Sequence, residues 1–235
     1  MLGHAGSPIA AELVRQAHEV FPDSELAQFY GATETSSVVT RMRHEEAAIG
    51  TDLAGSCGQP VVGVAVRTVR PDGSECAPGE VGEVLARSNA VTVGYWNNAE
   101  ATADALRDGW YHTGDLGYLN DRQYLFVVDR ARDMIVSGGE NVYSVEVEDA
   151  LYRHPSVAEA AVFGVPDDVW GEAVHAIVVP HPGMTPTGDE LRAHCRGLIA
   201  GFKVPKTIEI TAEPLPKSGP GKILKRVLRD RYLAV

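Results

Sequence analysis

Four short segments set polar side chains beside glycines where packing alone does not call for them. In Tyr30-Gly31-Ala32-Thr33-Glu34-Thr35 an aromatic face can stack on a base and a glycine lets the backbone approach a ligand. Its hydroxyls can meet phosphate, and its carboxylate can hold Mg²⁺. An ordinary turn would use the same residues. In Trp110-Tyr111-His112-Thr113-Gly114-Asp115 an ionised carboxylate can accept hydrogen bonds from both hydroxyls of a ribose. The His-x-x-Asp spacing also suits a metal or a catalytic dyad, but no further ligand type stands close to it in sequence. The stretch from Asp129-Arg130-Ala131-Arg132-Asp133 to Gly138-Gly139-Glu140-Asn141 places a charged joint before a glycine pair that permits close approach or positive φ, and a plain linker and turn would look alike. Last, Pro216-Lys217-Ser218-Gly219-Pro220-Gly221-Lys222 delivers a lysine on a glycine-bearing loop just before an apolar-patterned stretch.

Two familiar motifs are disfavoured by the residues around them. Gly221-Lys222 is followed by Ile223 where a Walker loop needs Ser or Thr for Mg²⁺, and Pro216 stands at its first glycine. Ala54-Gly55-Ser56-Cys57-Gly58 approaches a hydrolase nucleophile elbow, but Thr51-Asp52-Leu53 is no apolar strand leading into it. Cys57, Cys76 and Cys195 are odd in number and in no paired spacing, which argues for reduced, structural thiols rather than disulfides or zinc.

The elements that must carry these segments follow from periodicity. Ser7 and Pro8 suit an N-cap and first helical position, and the spacing predicts a helix from Pro8 to Phe21. Between Gly58 and Arg87 the pattern changes to β-rich runs, Val61 to Val69 and Val81 to Arg87, broken by Pro71-Asp72-Gly73 and Ala77-Pro78-Gly79 turns, as in a small sheet or barrel. Tyr124 to Val128 is another strand. Beyond the charged joint, where a domain boundary is expected, come a helix (Ser144 to Arg153), strands at Ala160 to Val165 and Val174 to Val179, a helix, a strand at Thr207 to Ile210 and the tail. Thr187 and Glu190 have capping-box spacing ahead of Leu191, Cys195, Leu198 and Ile199 on one face. Ser156 and Glu159 share that spacing, but Ala160-Ala161-Val162-Phe163 reads as a buried strand. In the tail, Ile223, Leu224, Val227 and Leu228 are expected to face the core.

With 235 residues, 44% apolar and 23% charged, the chain can bury a real core. Its formal net charge of -11 opposes nucleic acid and anionic lipid as generic partners. No apolar run approaches the roughly 20 residues needed to span a bilayer, and the first residues lack a signal-peptide pattern, so a cytoplasmic location is expected. From Lys217 to Arg231 the balance reverses, with Lys217, Lys222, Lys225, Arg226, Arg229 and Arg231 against Asp230 alone; a solvated helix face would account for that equally.

Taken in order, the four segments resemble the later core motifs of the adenylate-forming (AMP-binding) superfamily: acyl-CoA synthetases, peptide-synthetase adenylation domains and firefly-type luciferases. The resemblance spans essentially the whole chain. It implies an α/β plus α+β fold, with residues 1-130 as the C-terminal part of the large AMP-binding domain, including a small β-barrel-like subdomain. Residues 131-235 then form a compact, mobile α+β lid domain, with the hinge near 130-133. It also implies that Gly6, Ser7 and Pro8 contact adenine, that Tyr30 and Gly31 line the base with Tyr30 stacking, that Thr33 meets phosphate and that Glu34 holds Mg²⁺. Asp115 corresponds to the ribose-binding carboxylate, Arg130 to a second nucleotide contact and Arg132 to the hinge residue. Gly138 and Gly139 correspond to the loop beside the pantetheine tunnel, and Lys222 to the lysine that assists adenylation.

The implied activity is that of a carboxylate-CoA ligase using a carboxylic acid, ATP, Mg²⁺ and coenzyme A. A preference for CoA over a carrier-protein thiol rests on the absence of a carrier domain after the lysine motif. The superfamily's Ser/Thr/Gly-rich phosphate loop has no match here, so the expectation is a fragment, inactive alone, with exposed apolar surface, weak ATP binding and the missing N-terminal half or another copy as partner. A non-catalytic remnant binding a partner or nucleotide without turnover, and a luciferase-like oxidation of the adenylate, are the other readings.

Overall fold

The computed structural model describes residues 1-6, 11-36, 38-44, 48-219 and 221-234. Ser7, Pro8 and the expected helix start lie outside them. The chain divides into two compact units, Met1–Ala131 and Arg132–Val235.

In the first unit, strand β1 (Leu2–Ala5) runs parallel to β2 (Leu26–Tyr30) through helix α1 (Ala11–Val20), and β3 (Thr40–Arg43) and then β4 (Gln59–Pro60) extend the sheet antiparallel beyond β2. A second sheet joins β5 (Ala65–Val69), β6 (Gly82–Arg87) and β8 (Trp110–Leu119) antiparallel, with short β7 (Leu106–Arg107) and β9 (Leu125–Arg130) on the far edge of β8. It is a curled half-barrel. Helix α2 (Ala99–Ala105) precedes β7. The expected strand from Val61 begins only at Ala65, because Val61 to Val64 form a turn with Gly63 at φ +84°. The two sheets meet where the Cys57 amide donates to Leu125 and the Leu125 amide to Gly58. Gly58 has φ +83°, and a Cβ there would lie 2.0 Å from the Arg41 backbone, so only glycine fits that junction.

The second unit is a sheet covered on both faces. Antiparallel β12 (Val157–Asp167) and β13 (Gly171–Pro180) form its centre, β14 (Thr207–Ile210) lies parallel to β13, and β10 (Ile135–Ser137) and β11 (Glu140–Val142) form an edge hairpin. The middles of both central strands are mostly apolar, because alternate residues there face separate cores. Ala160, Val162, Val174, Ala176 and Val178 pack with α3 (Ser144–Tyr152) and α4 (Gly188–Arg196), through Val147, Leu151, Leu191 and Cys195. Ala161, Phe163, Val165, Ala173 and Ile177 pack instead on Leu215 and on Leu228 of α5 (Lys225–Leu233).

Thr187 and Glu190 close a reciprocal cap at the start of α4, whereas Glu159 lies within β12 and serves no cap. One tail expectation is corrected: Leu224 precedes the first residue of α5, outside its helical repeat, and is exposed, while Ile223 and Leu228 pack inward. Among the described residues no helix is long and apolar enough to cross a membrane. Cys57 and Cys195 are buried core thiols, and Cys76 is half-buried.

Candidate nucleotide site

Parallel β1 and β2 end together, with Ala5 opposite Phe29, so Gly6 (φ +89°) and the segment beginning at Tyr30 emerge at their carboxyl ends. That edge is where open sheets of this kind receive ligands. Tyr30 ends β2, and its ring packs on two small cores, one with Cys57, Val84 and Leu125, the other with Val39, Ala86 and Tyr111. Its hydroxyl donates to Asp115 Oδ2 at 2.8 Å. Burial foremost, and then the charge of Asp115, push the phenol's pKa well above its ordinary value, so it remains a donor.

Asp115 lies on β8 directly opposite Arg130 on β9, and Arg130 Nε stands 3.5 Å from Asp115 Oδ1. The strand register therefore makes this pair. Gly114 at φ +69° and a register shift after Leu116 bend β8 here, while the Asp115 amide bonds the Thr113 hydroxyl at 3.0 Å and that hydroxyl donates to the Val84 carbonyl. The carboxylate is 19% exposed and held between a neutral donor and a guanidinium, which keeps it able to accept from a ligand hydroxyl.

Gly31 leads from Tyr30 into a single 3-10 turn, Thr33–Thr35. Thr35 turns inward and bonds Ala32, whereas Thr33 is exposed. Glu34 accepts from the Tyr95 hydroxyl at 2.8 Å, and its carbonyl accepts from the Thr92 amide at 2.7 Å. Sequence reasoning missed Tyr95, which stands in an exposed apolar stretch with Val93 and Trp96. No local spacing links residues 34 and 95; only folding does. Tyr30, Asp115 and Arg130 are thus in direct contact, with Thr33 and Glu34 on the turn that follows Tyr30. His112 pairs with Glu83 at 2.9 Å, and among the described residues no group of three or more His, Cys, Asp or Glu gathers as a metal site.

The remaining expected residues belong to the second unit. Gly138 and Gly139, at φ +62° and +83°, are the two-residue turn between β10 and β11, and a Cβ on Gly138 would come 2.6 Å from the Trp170 ring. Arg132 is 74% exposed, 3.8 Å from Asp133. Lys222 is half-buried beyond Gly221 (φ +88°), its amide 3.2 Å from the Ser218 hydroxyl.

The family model described as AMP-binding enzyme matches residues 1–96, and that of the AMP-binding enzyme C-terminal domain matches 146–222. The chain belongs to the AMP-binding enzyme family. It is 44% identical over 229 residues to a feruloyl-CoA synthase of Amycolatopsis sp, covering 97% of the chain and 45% of that protein. It is 42% identical over 229 residues to a fatty acid–[acyl-carrier-protein] ligase of Streptomyces coeruleorubidus, covering 97% of the chain and 44% of that protein. Its fold matches o-succinylbenzoate CoA synthetase of Bacillus subtilis solved with an acyl-adenylate intermediate, with TM-score 0.87, 35% identity and coverage of 97% and 45%. The same enzyme solved with ATP and magnesium ion gives 0.86, 35%, 97% and 46%. The fold is that of the C-terminal part of an adenylate-forming enzyme, and the chain spans about 45% of the length of these relatives.

Proposed function

We propose that this chain supplies the ribose-binding, metal-holding and lysine-bearing parts of an ATP-dependent carboxylate-CoA ligase. The observation that carries the proposal is the Tyr30–Asp115–Arg130 contact at the carboxyl edge of β1 and β2, beside the Glu34 turn. In this reading Asp115 accepts from the ribose hydroxyls, Arg130 faces the nucleotide, Tyr30 orients Asp115 and borders the adenine with Gly6, Ser7, Pro8 and Gly31, and Thr33 meets phosphate.

An acid oxygen attacks the α-phosphorus of ATP and pyrophosphate leaves. A thiol sulfur, losing its proton, then displaces AMP from the acyl carbon. Lys222 brings a cation to the first transition state, where negative charge gathers. Among the described residues no group of three or more metal-ligand side chains gathers, so Glu34 would meet Mg²⁺ as a lone carboxylate, which suits an ion that keeps several waters and takes its other ligands from phosphates. When bound, Mg²⁺ would screen the phosphate charge. Residues 131-235 act as the lid, moving about 130-133, with Gly138 and Gly139 beside the pantetheine arm; a cytoplasmic location belongs to the same reading.

The test is calorimetric titration of the chain with AMP, and exchange of labelled pyrophosphate into ATP by the longer protein that contains it, over acids of graded chain length; exchange outcomes are read on that longer protein. Binding lost in Asp115→Asn, with acid-dependent exchange in the wild type, supports the reading. AMP binding without exchange under any acid favours the non-catalytic alternative. The 42% identity to a carrier-protein ligase favours one second reading, a carrier-protein thiol as acceptor, and thioester yield on CoA against a phosphopantetheinyl carrier separates the two.

A further inference from the structure

The loop that carries Lys222 is closed on itself. The Ser218 amide donates to the Lys222 carbonyl at 2.8 Å, the Lys222 amide to the Ser218 hydroxyl at 3.2 Å, and the Leu224 amide to the Pro216 carbonyl at 2.8 Å. Lys217 and Ile223 face each other as a bridge across the two legs. The incoming leg is tied to β12, where Glu159 accepts from the Leu215 amide at 3.0 Å and pairs with Lys217. That pair is partly exposed and contributes little by itself.

The outgoing leg is tied differently. Lys225, three positions after Lys222, extends its Nζ to Glu148 Oε1 at 2.7 Å and to the Ser144 hydroxyl at 2.6 Å. The lysine and glutamate side chains are only 16% and 14% exposed, and Ser144 is fully buried. Glu148 is itself fixed, since Oε1 also accepts from the Val162 amide of β12 at 2.8 Å. The start of α5 thus meets α3 directly on this ammonium, and β12 joins through Glu148. A bare helix face would leave Lys225 in water. Burying it beside a carboxylate that is already engaged fixes its position, because neither charge can move away without losing a desolvated partner.

We propose that Lys225, through Glu148 and Ser144, is a positioning residue that holds the Lys222 hairpin in one preset conformation. Lys222 then arrives without first ordering its own loop, and less of its electrostatic effect is spent on immobilisation. The assignment of Lys222 to adenylation rests on the function proposed above; the clamp itself does not.

Amide hydrogen exchange on the 235-residue chain, followed residue by residue, tests the clamp without ligand. In Lys225→Met the Ser218, Lys222 and Leu224 amides are expected to exchange about tenfold faster, while those of α4 stay within about twofold of wild type. Lys225→Arg should restore most of the protection. Ser144→Ala removes the hydroxyl that accepts from Lys225 while the Glu148 partner stays in place, and should give about a threefold rise, which keeps the test valid if Lys225→Met does not fold. Arg229→Ala removes the separate Arg229–Glu172 pair and should leave the hairpin amides unchanged. Where adenylate formation is assayed, Lys225→Met should lower kcat and leave KM for ATP within about twofold. Hairpin exchange unchanged in a folded Lys225→Met, or hairpin and α4 opening equally in Lys225→Met and Ser144→Ala, overturns the clamp. Undiminished adenylate formation in Lys222→Ala would refute the role given to Lys222 and leave the clamp standing.

Discussion

At the scale of single residues, the candidate site is a carboxylate aimed by its neighbours. Asp115 is held by Tyr30 and Arg130, so removing its charge and removing its orientation should differ in degree. Asp115→Asn is expected to weaken AMP binding by about tenfold to hundredfold, the range for hydrogen bonds to a charged group, and Tyr30→Phe by about threefold to tenfold, both read by calorimetry. Equal affinity in all three proteins would sink the ribose assignment. In the longer protein that contains this chain, Lys222→Ala should abolish acid-dependent pyrophosphate exchange, while thioester formation from preformed adenylate largely survives; equal loss of both half-reactions would refute that division. His175 belongs to this scale as well. It is 2% exposed, its Nδ1 meets the Thr207 hydroxyl at 2.7 Å, its ring lies 4.2 Å from that of Tyr232, and its buried Nε2 has no partner among the described residues. Burial lowers its pKa from 6.5 to about 4. The neutral form is therefore favoured on folding, so this contribution is fully present above pH 6.5 and is lost as pH falls from 6.5 toward 4, on the order of 3 kcal/mol in all. Denaturant midpoints of the second unit against pH should show that fall, and His175→Phe should flatten it.

At the scale of elements, what was legible depended on how local the signal is. β14 spans the residues expected, Thr207–Ile210, and the cap at Thr187 forms because its two halves stand three residues apart. The apolar run Ala160-Ala161-Val162-Phe163 announces a buried strand, and strands are expected at Ala160 to Val165 and Val174 to Val179, inside β12 and β13; burial on both faces comes only from the fold. β8 was not foreseen. Its Thr113-Gly114-Asp115 centre has no apolar alternation, and it is a strand because β6 lies on one edge and β7 and β9 on the other. The chemistry of Asp115 was legible from residue type, but its partners Tyr30 and Arg130 follow from register and from the end of a strand in another sheet. Tyr95 on Glu34 had no sequence signal at all. Leu224 was misplaced because helical spacing was extended one residue too early, into the leg of the hairpin. The junction of the two sheets supplies a prediction at this scale. Gly58→Ala meets both a positive φ and the Arg41 backbone, neither of which can yield cheaply, so the first unit should lose roughly 2–4 kcal/mol in chemical denaturation. Gly63→Ala, at φ +84° in open space, should cost clearly less.

At the scale of the whole molecule, the two units are joined by a short segment between their sheets. The Ala131 amide donates to the Gly114 carbonyl at 2.9 Å and so belongs to the first unit's sheet, while Ile135 already pairs with Val142 in the second. Only Arg132, Asp133 and Met134 lie between, and Arg132 is largely in solvent with Asp133 as its ion-pair partner. A joint this short can redirect a unit through one or two dihedrals without breaking a ladder, which is the usual character of a hinge. If the two half-reactions use different orientations of the second unit, a residue that fixes φ at the joint should penalise one of them more than the other. In the longer protein, Arg132→Pro is therefore expected to leave acid-dependent pyrophosphate exchange within about threefold of wild type while slowing thioester formation from preformed adenylate by about tenfold or more. Arg132→Ala, which removes the side chain and keeps the backbone free, should leave both rates near wild type. The contrast between those variants carries the inference: equal slowing by alanine and proline would assign the effect to the guanidinium, and wild-type rates in both would show that no dihedral at Arg132 is used.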